Sequence, residues 1–583
     1  MLKLLKYLTK HAWALAVLAV GFVVTQVWLD LTLPDYMADI TRLVQTPGSK
    51  MSEIITAGLK MLGCAAGSLA ASVVTALCAS KIAADFSANL RGEMFRKVQS
   101  FSMQEIGRFS TASLITRSTN DITQVQMVIV LGLQVMIKAP IMAVWAIMKI
   151  SGKQWQWLAT TGAAVVILLT VVIVCLVLAY PKFRKLQALT DDLNRVTREN
   201  LTGIRVVRAY NAEQYQEEKF EQANAELTGT HLFAMHTMAF MMPGIQLIMS
   251  GISLAVYWLG AALINNAADM TEKADIFSEM MVFSQYAIQV VMAFMMLVMI
   301  FMVLPRASVA AQRIGEVLGT KASITDGTVT ACAPDCRGEI TFDRVSFRYP
   351  DGDGDVLHDI SFTAKRGETV ALIGATGCGK STVVNLIPRF YDVTEGTVTV
   401  GGVNVKDYTQ NALREMIGYV SQKATLFSGT VRSNVAYGSA HSEDEEVNAA
   451  MEIAQGRDIL EKTEQGADAY VAQGGSNFSG GQKQRISIAR AVFRHPDILI
   501  FDDSFSALDY KTDRALRSEL KKHCADSTKI IVAQRIGTIK DADRIIVLEE
   551  GSVAGMGTHA ELMQSCEVYR QIAYSQLSEK ELA

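Results

Sequence analysis

Residues 368–381 read Glu-Thr-Val-Ala-Leu-Ile-Gly-Ala-Thr-Gly-Cys-Gly-Lys-Ser, and this stretch decides the fold of the C-terminal half of the chain. Its apolar run predicts a buried strand, its glycines a tight turn, and the residues from Lys380 onward a helix. Strand, turn and helix in that order make a phosphate-binding unit. Gly374, Ala375, Thr376, Gly377, Cys378, Gly379, Lys380 and Ser381 fit G-x-x-x-x-G-K-[ST]. In that pattern the glycines let backbone N–H groups converge on a nucleotide's phosphates, Lys380 reaches the β and γ oxygens, and the Ser381 hydroxyl ligates Mg2+.

The 583 residues are 50% hydrophobic with a formal net charge of −3. Such a chain is too long for one domain and too apolar to be wholly soluble, and its near-neutral charge gives no reason to invoke nucleic acid. The eight cysteines are scattered, with Cys64, Cys78 and Cys175 in apolar stretches, so no disulfide framework is implied. Cys332 and Cys336 are followed by no second Cys/His pair at zinc-ligand spacing, and no zinc site is expected.

A membrane helix needs about 20 mostly apolar residues, and six segments meet this: 13–33, 54–80, 125–150, 156–180, 235–264 and 276–304. An even number returns both ends of the chain to one side. Lys3, Lys6 and Lys10, then Arg91, Arg96, Lys97, Arg108 and Arg117, then Lys182, Arg184, Lys185, Arg195, Arg198, Arg205 and Arg208 fall on that side, which the positive-inside rule makes the cytoplasm. Lys149 and Lys153, in a short outer loop, are outnumbered. The N-terminal flank has no small-residue cleavage site and reads as cytoplasmic, not as a removable leader. The expected organisation is a membrane domain over 1–310 with helical inward loops, a linker over 311–337 and a nucleotide domain over 338–583.

Beyond the glycine-rich loop stand Phe478-Ser479-Gly480-Gly481-Gln482, an apolar strand ending in Asp502, and Ser506-Ala507-Leu508-Asp509; Tyr349 lies in "FRYP" and Gln422 in "VSQ". Together and in this order they resemble the nucleotide-binding domain of ATP-binding cassette (ABC) transporters. The pentapeptide is similar to the L-S-G-G-Q signature and the tetrapeptide to the D-loop, Tyr349 to the adenine-stacking aromatic and Gln422 to the Q-loop glutamine. With the six spans ahead of it, the chain looks like a half-transporter of the exporter type: an α-helical membrane domain of six transmembrane helices fused to an α/β P-loop NTPase domain. "STNDIT" (118–123) and "TGIRVVRAYNAE" (202–213) look like its two coupling helices.

The resemblance implies ATP and Mg2+ as cofactors. Tyr349, Gly374, Thr376, Gly377, Cys378, Gly379, Lys380, Ser381 and Thr382 would hold the nucleotide, and Ser381, Gln422 and Asp502 the metal. Asp503, Gln534 and Gln422 would attend hydrolysis. Two such domains close head to tail in this family, so Ser479, Gly480, Gly481 and Gln482 would face the nucleotide of a second chain.

Two positions depart from the family. Where it places Glu after the metal-binding Asp, this chain has Asp503, and where its switch motif has His, this chain has Gln534. Losing one methylene withdraws the carboxylate by about 1.5 Å, and a misplacement of about 1 Å can cost about 10²-fold in rate. An amide can donate to the γ-phosphate but carries no charge and shuttles no proton. The expected outcome is a site that binds Mg-ATP well and hydrolyses it poorly: the degenerate half of a heterodimer whose partner supplies Glu and His. The competing reading is drift within an active homodimer. Gln473, where the family more often has Glu, is a third departure, with no effect predicted. Cys378 reads as a small filler whose thiol, if exposed, would sensitise the loop to alkylation.

For cargo, Met292, Met295, Met296 and Met299 are candidates for a cavity that re-packs around apolar ligands. Lys138 is a cation well inside a span, either facing protein or snorkelling to the inner boundary; Asp30 is expected at the outer interface. The sequence thus points to an integral protein of a bacterial inner membrane with cytoplasmic termini, exporting hydrophobic or amphipathic drugs, lipids or peptides. Uptake of metal chelates on the same fold, or an ATP-gated regulatory role without pumping, are the alternatives.

Overall fold

A computed structural model of the chain describes residues 2–45, 49–151, 153–267, 269–439 and 441–577. The side chains of Lys3, Arg184 and Met302 lie outside that description. The chain divides into two compact units, one of residues 1–99 and 111–320, the other of residues 100–110 and 321–583.

The first unit is helical throughout: α1 (Lys10–Gln45), α2 (Met51–Gln99), α4 (Thr111–Ser118), α5 (Asn120–Leu131), α6 (Lys138–Ser151), α7 (Trp155–Thr202), α8 (Ile204–Ala209), α9 (Glu213–Ala239), α10 (Met241–Asn266) and α11 (Met270–Gly319). A short helix α3 (Met103–Phe109) belongs to the second unit. Six helical spans, 10–45, 51–99, 111–151, 155–202, 213–266 and 272–319, are long and apolar enough to cross a membrane. At 1.5 Å per residue the 48-residue α7 is about 72 Å long, more than twice a hydrocarbon core of about 30 Å. The inward loops are therefore continuations of membrane helices. Between α5 and α6 the helix widens into a π-helical segment, Gly132–Met136, closed by Ile137 N–H donating to Gly132 C=O at 3.2 Å. The core packs Trp157 against Phe283 with ring centroids 5.4 Å apart, beside Tyr286, Val290 and Leu168.

The structure departs from the expected boundaries. Helix α11 runs through the first part of the supposed linker to Gly319, and residues from Lys321 onward already belong to the second unit, where Val329 bridges to Tyr408. Nor do residues 118–123 form a separate coupling helix. They span the break between α4 and α5 in the helical unit, where buried Asp121 pairs with Arg313 at 3.3 Å. The short inward helix that goes with the nucleotide unit is α3, capped by Ser102. Its Glu105 accepts from Ser102 and from the backbone N–H of Ser323. Within 202–213, Gly203 breaks the chain and α8 follows as a short helix of its own.

In the second unit, β1 (Ile340–Phe347), β2 (Leu357–Ala364), β4 (Glu395–Val400) and β5 (Val403–Asn404) form an antiparallel sheet in the order β2-β1-β4-β5. A six-stranded sheet takes β3 (Thr369–Gly374), β6 (Ile417–Val420), β9 (Ile498–Asp502), β10 (Thr528–Val532), β11 (Arg544–Glu549) and β12 (Ser552–Gly557) in the order β12-β11-β3-β10-β9-β6. A short pair joins β7 (Gly429–Thr430) and β8 (Tyr470–Val471). All but β12 run parallel in the large sheet. Parallel strands are covered on both faces and read as continuous apolar runs; β9 and β10 are accordingly buried at every position.

Candidate functional site in the nucleotide unit

Register decides where the site lies. Val532 of β10 stands opposite Leu372 of β3 and Asp502 of β9, and Val420 of β6 opposite Phe501. The four parallel strands therefore end level, and the segments that follow them carry the glycine-rich loop, Gln422, Asp503 and Gln534 to one edge. Ligands of open α/β sheets bind at that carboxyl edge.

The loop after β3 leads into α12 (Lys380–Leu386), and it needs its glycines. Gly374 at φ 156° lies against the carbonyl of Leu548, which an added Cβ would strike, and Gly379 at φ 96° would place a Cβ 2.6 Å from Leu357. Both the close approach and the left-handed backbone at Gly379 exclude a side chain. Ala375, Thr376 and Gly377 form the exposed tip. Lys380 is buried, its Nζ donating to Gly374 C=O at 2.8 Å and Ala375 C=O at 2.7 Å. Cys378 is a buried filler on the sheet, its Sγ 3.5 Å from Lys380 Nζ. Phosphate oxygens would replace the neutral carbonyl partners of the ammonium with stronger charge-assisted ones.

Ser381 Oγ donates to Asp502 Oδ1 at 2.8 Å. Hydroxyl and carboxylate oxygens held this close are the hard donor set that suits Mg2+, so the residues present fit the metal. Burial holds the Asp502 carboxyl above its ordinary range, against the Ser381 hydrogen bond, and the charge of Asp503 adds to the rise. A cation there relieves that cost. Two residues the sequence reading missed belong to this cluster. Tyr419 donates to Asn385 Oδ1 at 3.0 Å and lies 3.5 Å from Asp502 Oδ2, and burial raises its phenol. Strand alternation gives no signal for Tyr419, which stands an odd number of residues before Gln422; only the fold brings it here.

Tyr349 shares a hydrogen bond with Thr382 Oγ1 at 3.0 Å and meets Tyr391 edge to face at 5.2 Å. That aromatic ledge beside the first turn of α12 suits a purine ring.

The remaining three predicted residues meet at one atom. Asp503 Oδ2 accepts from Gln534 Nε2 at 2.8 Å and from Gln422 Nε2 at 3.2 Å. Asp503 sits in left-handed backbone at φ 48°, fixed by its N–H to Val532 C=O at 3.0 Å. Burial raises its carboxyl too, with the Gln422 hydrogen bond opposing. Gln534 is itself held through its backbone carbonyl, which accepts from Gln576 Nε2 at 2.7 Å.

The signature residues do not join this cluster. Ser479 caps the helix Gly480–Phe493, and its only side-chain partner among the described residues is Gln482, in a reciprocal capping box. Ser479 and Gly480 are exposed, while Phe478 packs on the core. Gln473 is exposed on a short turn, and nothing in the structure explains its departure from the family.

The model of the ABC transporter ATPase domain matches residues 357–506, and that of the ABC transporter transmembrane region matches 13–303. An uncharacterized ABC transporter ATP-binding protein of Mycobacterium tuberculosis is 38% identical over 561 residues, 94% of this chain and 93% of that protein. One of Bacillus subtilis is 37% identical, covering 89% of each. An ATP-dependent lipid A-core flippase of Pseudomonas aeruginosa is 32% identical over 83% of this chain and 79% of its own length. In fold, the chain is similar to a bacterial Atm1-family ABC exporter with ATP bound, with a TM-score of 0.78 at 24% identity over 97% and 98% of the two chains. The chain belongs to the ABC transporter family, as a half-transporter of the exporter fold carrying the transmembrane region and the ATPase domain in one polypeptide.

Proposed function

We propose that this chain is the degenerate-site subunit of a heterodimeric ABC exporter, moving hydrophobic or amphipathic compounds outward across a bacterial inner membrane with its nucleotide unit in the cytoplasm. The observation that carries this reading is the closed triad at Asp503 Oδ2. Hydrolysis needs a carboxylate free to orient water in line with the γ-phosphate. Here the carboxylate, one methylene shorter than the family's Glu, accepts from two amides, Gln422 and Gln534, the second standing where the family has its switch histidine. The binding positions Lys380, Ser381, Asp502 and Tyr349 are kept, so ATP and Mg2+ are held on this chain and turned over slowly.

The signature supports a division of labour. Ser479 and Gly480 are exposed, and Gly481 and Gln482 half-buried, at a helix N-terminus whose first backbone N–H groups have no helical acceptor, the arrangement that stabilises anionic phosphates. They would serve the nucleotide of a partner chain with intact Glu and His, where most hydrolysis occurs. Met292, Met295, Met296, Met299 and Lys138 would line the cargo path. The name of the flippase relative is consistent with amphipathic cargo.

The test is affinity purification of the native complex through a tag on this chain. A second, unlike half-transporter in equal amount, with ATPase activity abolished by changing that partner's Glu, is the expected result. A homodimer with full turnover contradicts it.

A further inference from the structure

Helix α1 carries Pro34, which has no N–H, so the carbonyl four residues back, that of Asp30, loses its helical donor. Inside a membrane such a group must be satisfied by a neighbouring element. Gln289 of α11 supplies the donor, its Nε2 reaching Asp30 C=O at 3.3 Å. Flipping this amide would set two oxygens face to face, so its orientation is fixed and Oε1 points away. That oxygen is buried and has no hydrogen-bond partner among the described residues.

The side chain of the same Asp30 holds a second group of the cluster. Its Oδ2 pairs with Lys138 Nζ at 3.2 Å, and its Oδ1 accepts from the Ser68 hydroxyl. Lys138 is the first residue of α6, with only Ile137 between it and the π-helical segment, a distortion frequent at functional sites. Both carboxylate oxygens are thus used by the protein. Among the described residues Lys138 spends one of three N–H donors, and its side chain and that of Asp30 keep 16% and 25% exposure. A charge pair left open to lipid is costly, which argues for an opening toward protein and not toward lipid.

From this geometry we infer that Lys138 and Gln289 form the polar anchor of the cargo site, and that it takes the head of a zwitterionic amphiphile with a primary ammonium. The inference rests on the transporter reading above and names its cargo. The spare N–H donors of Lys138 take the anionic group, and Gln289 Oε1 takes an N–H from the ammonium. The Asp30–Lys138 pair is already neutral, and a zwitterion adds no net charge at a depth where charge is expensive. A lone anion or cation would leave one. The apolar part has a place as well. Gln289, Met292, Met296 and Met299 recur on one face of α11 over about 15 Å, the length of an acyl tail.

The experiment measures equilibrium binding of tail-labelled, short-chain phosphatidylethanolamine, phosphatidylcholine and phosphatidylglycerol to the full chain in detergent, by fluorescence anisotropy. The trimethylated choline head has no N–H, and the glycerol head no ammonium. The expected result is about tenfold tighter binding of the ethanolamine head than of either other head. Gln289→Leu should bring the ethanolamine and choline heads to within about twofold, with nucleotide binding unchanged. Equal affinity for the three heads, or a preference that survives Gln289→Leu, overturns the inference and leaves Gln289 as a patch for Pro34. This readout needs neither a partner nor hydrolysis. Failure of the heterodimer reading therefore shows in the purified complex, and failure of this one in the head-group preference.

Discussion

The two lysines that matter most here, Lys380 in the nucleotide unit and Lys138 in the helical unit, are neutralised in opposite ways. Lys380 rests on carbonyls five and six residues before it, while Lys138 depends on a carboxylate 108 residues away. The contrast extends to their surroundings. Around Lys380 the loop, its glycines and the level strand ends form one local construction. Lys138–Asp30 and Lys149–Asp35 join α6 to α1, and Lys153, after the end of α6, reaches Glu279 of α11. A locally satisfied cation is ready to exchange its partners for a ligand; one satisfied at long range also fastens the fold.

The comparison predicts that the two lysines fail differently when removed. Lys138→Met leaves the half-buried Asp30 carboxylate without its counter-charge, and the helical unit should lose about 2 kcal/mol in detergent-induced unfolding, with most of that restored by Asp30→Asn in the same chain. If Lys138→Met alone is as stable as the wild type, the pair does not fasten the bundle. Lys380→Ala should instead leave thermal unfolding of the nucleotide unit nearly unchanged and weaken ATP binding about 100-fold, about 2.7 kcal/mol. An unfolded variant would mean that the lysine is structural there too.

Smaller effects sharpen the same contrast. Ser479→Ala removes the cap of an exposed helix terminus and should cost about 1 kcal/mol in stability, while binding of ATP to this chain's own loop stays unchanged. A change in that affinity would place the signature at the wrong site. Smallest is a pH effect at α3. Burial works against the ionised Glu105, but the Ser102 and Ser323 hydrogen bonds outweigh it and hold the carboxyl below its ordinary range. A depressed native pKa gives stability that is present above the unfolded value and lost as pH falls through the native one. The wild type should therefore lose a few tenths of a kcal/mol more than Glu105→Gln between about pH 5 and pH 3. Parallel pH profiles would show that the carboxylate gains nothing from those contacts.

Much of this was legible in the sequence, and for a physical reason. The phosphate loop is a contiguous string whose backbone demands glycine, the spans are runs of apolar residues, and Asp502, Asp503 and Gln534 follow strands whose apolar character is plain. What stayed hidden depends on contacts between distant segments. Asp30 was placed at the outer interface and Lys138 left between two positions. Spacing says neither that the two pair, across α1 and α6, nor that α1 continues 15 residues beyond Asp30 to Gln45. The resemblance makes residues 118–123 a coupling helix, but the buried Asp121–Arg313 pair ties them into the bundle, and α3 belongs to the nucleotide unit. The merging of Asp503, Gln422 and Gln534 at one oxygen was equally unreadable, because spacing along the chain says nothing of which atom three side chains share.

That shared oxygen is the centre of the account, and ATP turnover tests it most directly. The measurement is the ATPase rate of the chain purified alone, beside Asp503→Glu combined with Gln534→His, with ATP binding matched in both. Restoring the methylene and the imidazole should free the carboxylate from the triad and raise a feeble rate by about 10²-fold. Robust turnover by the unmodified chain alone would contradict the degenerate site and make this protein a self-sufficient pump.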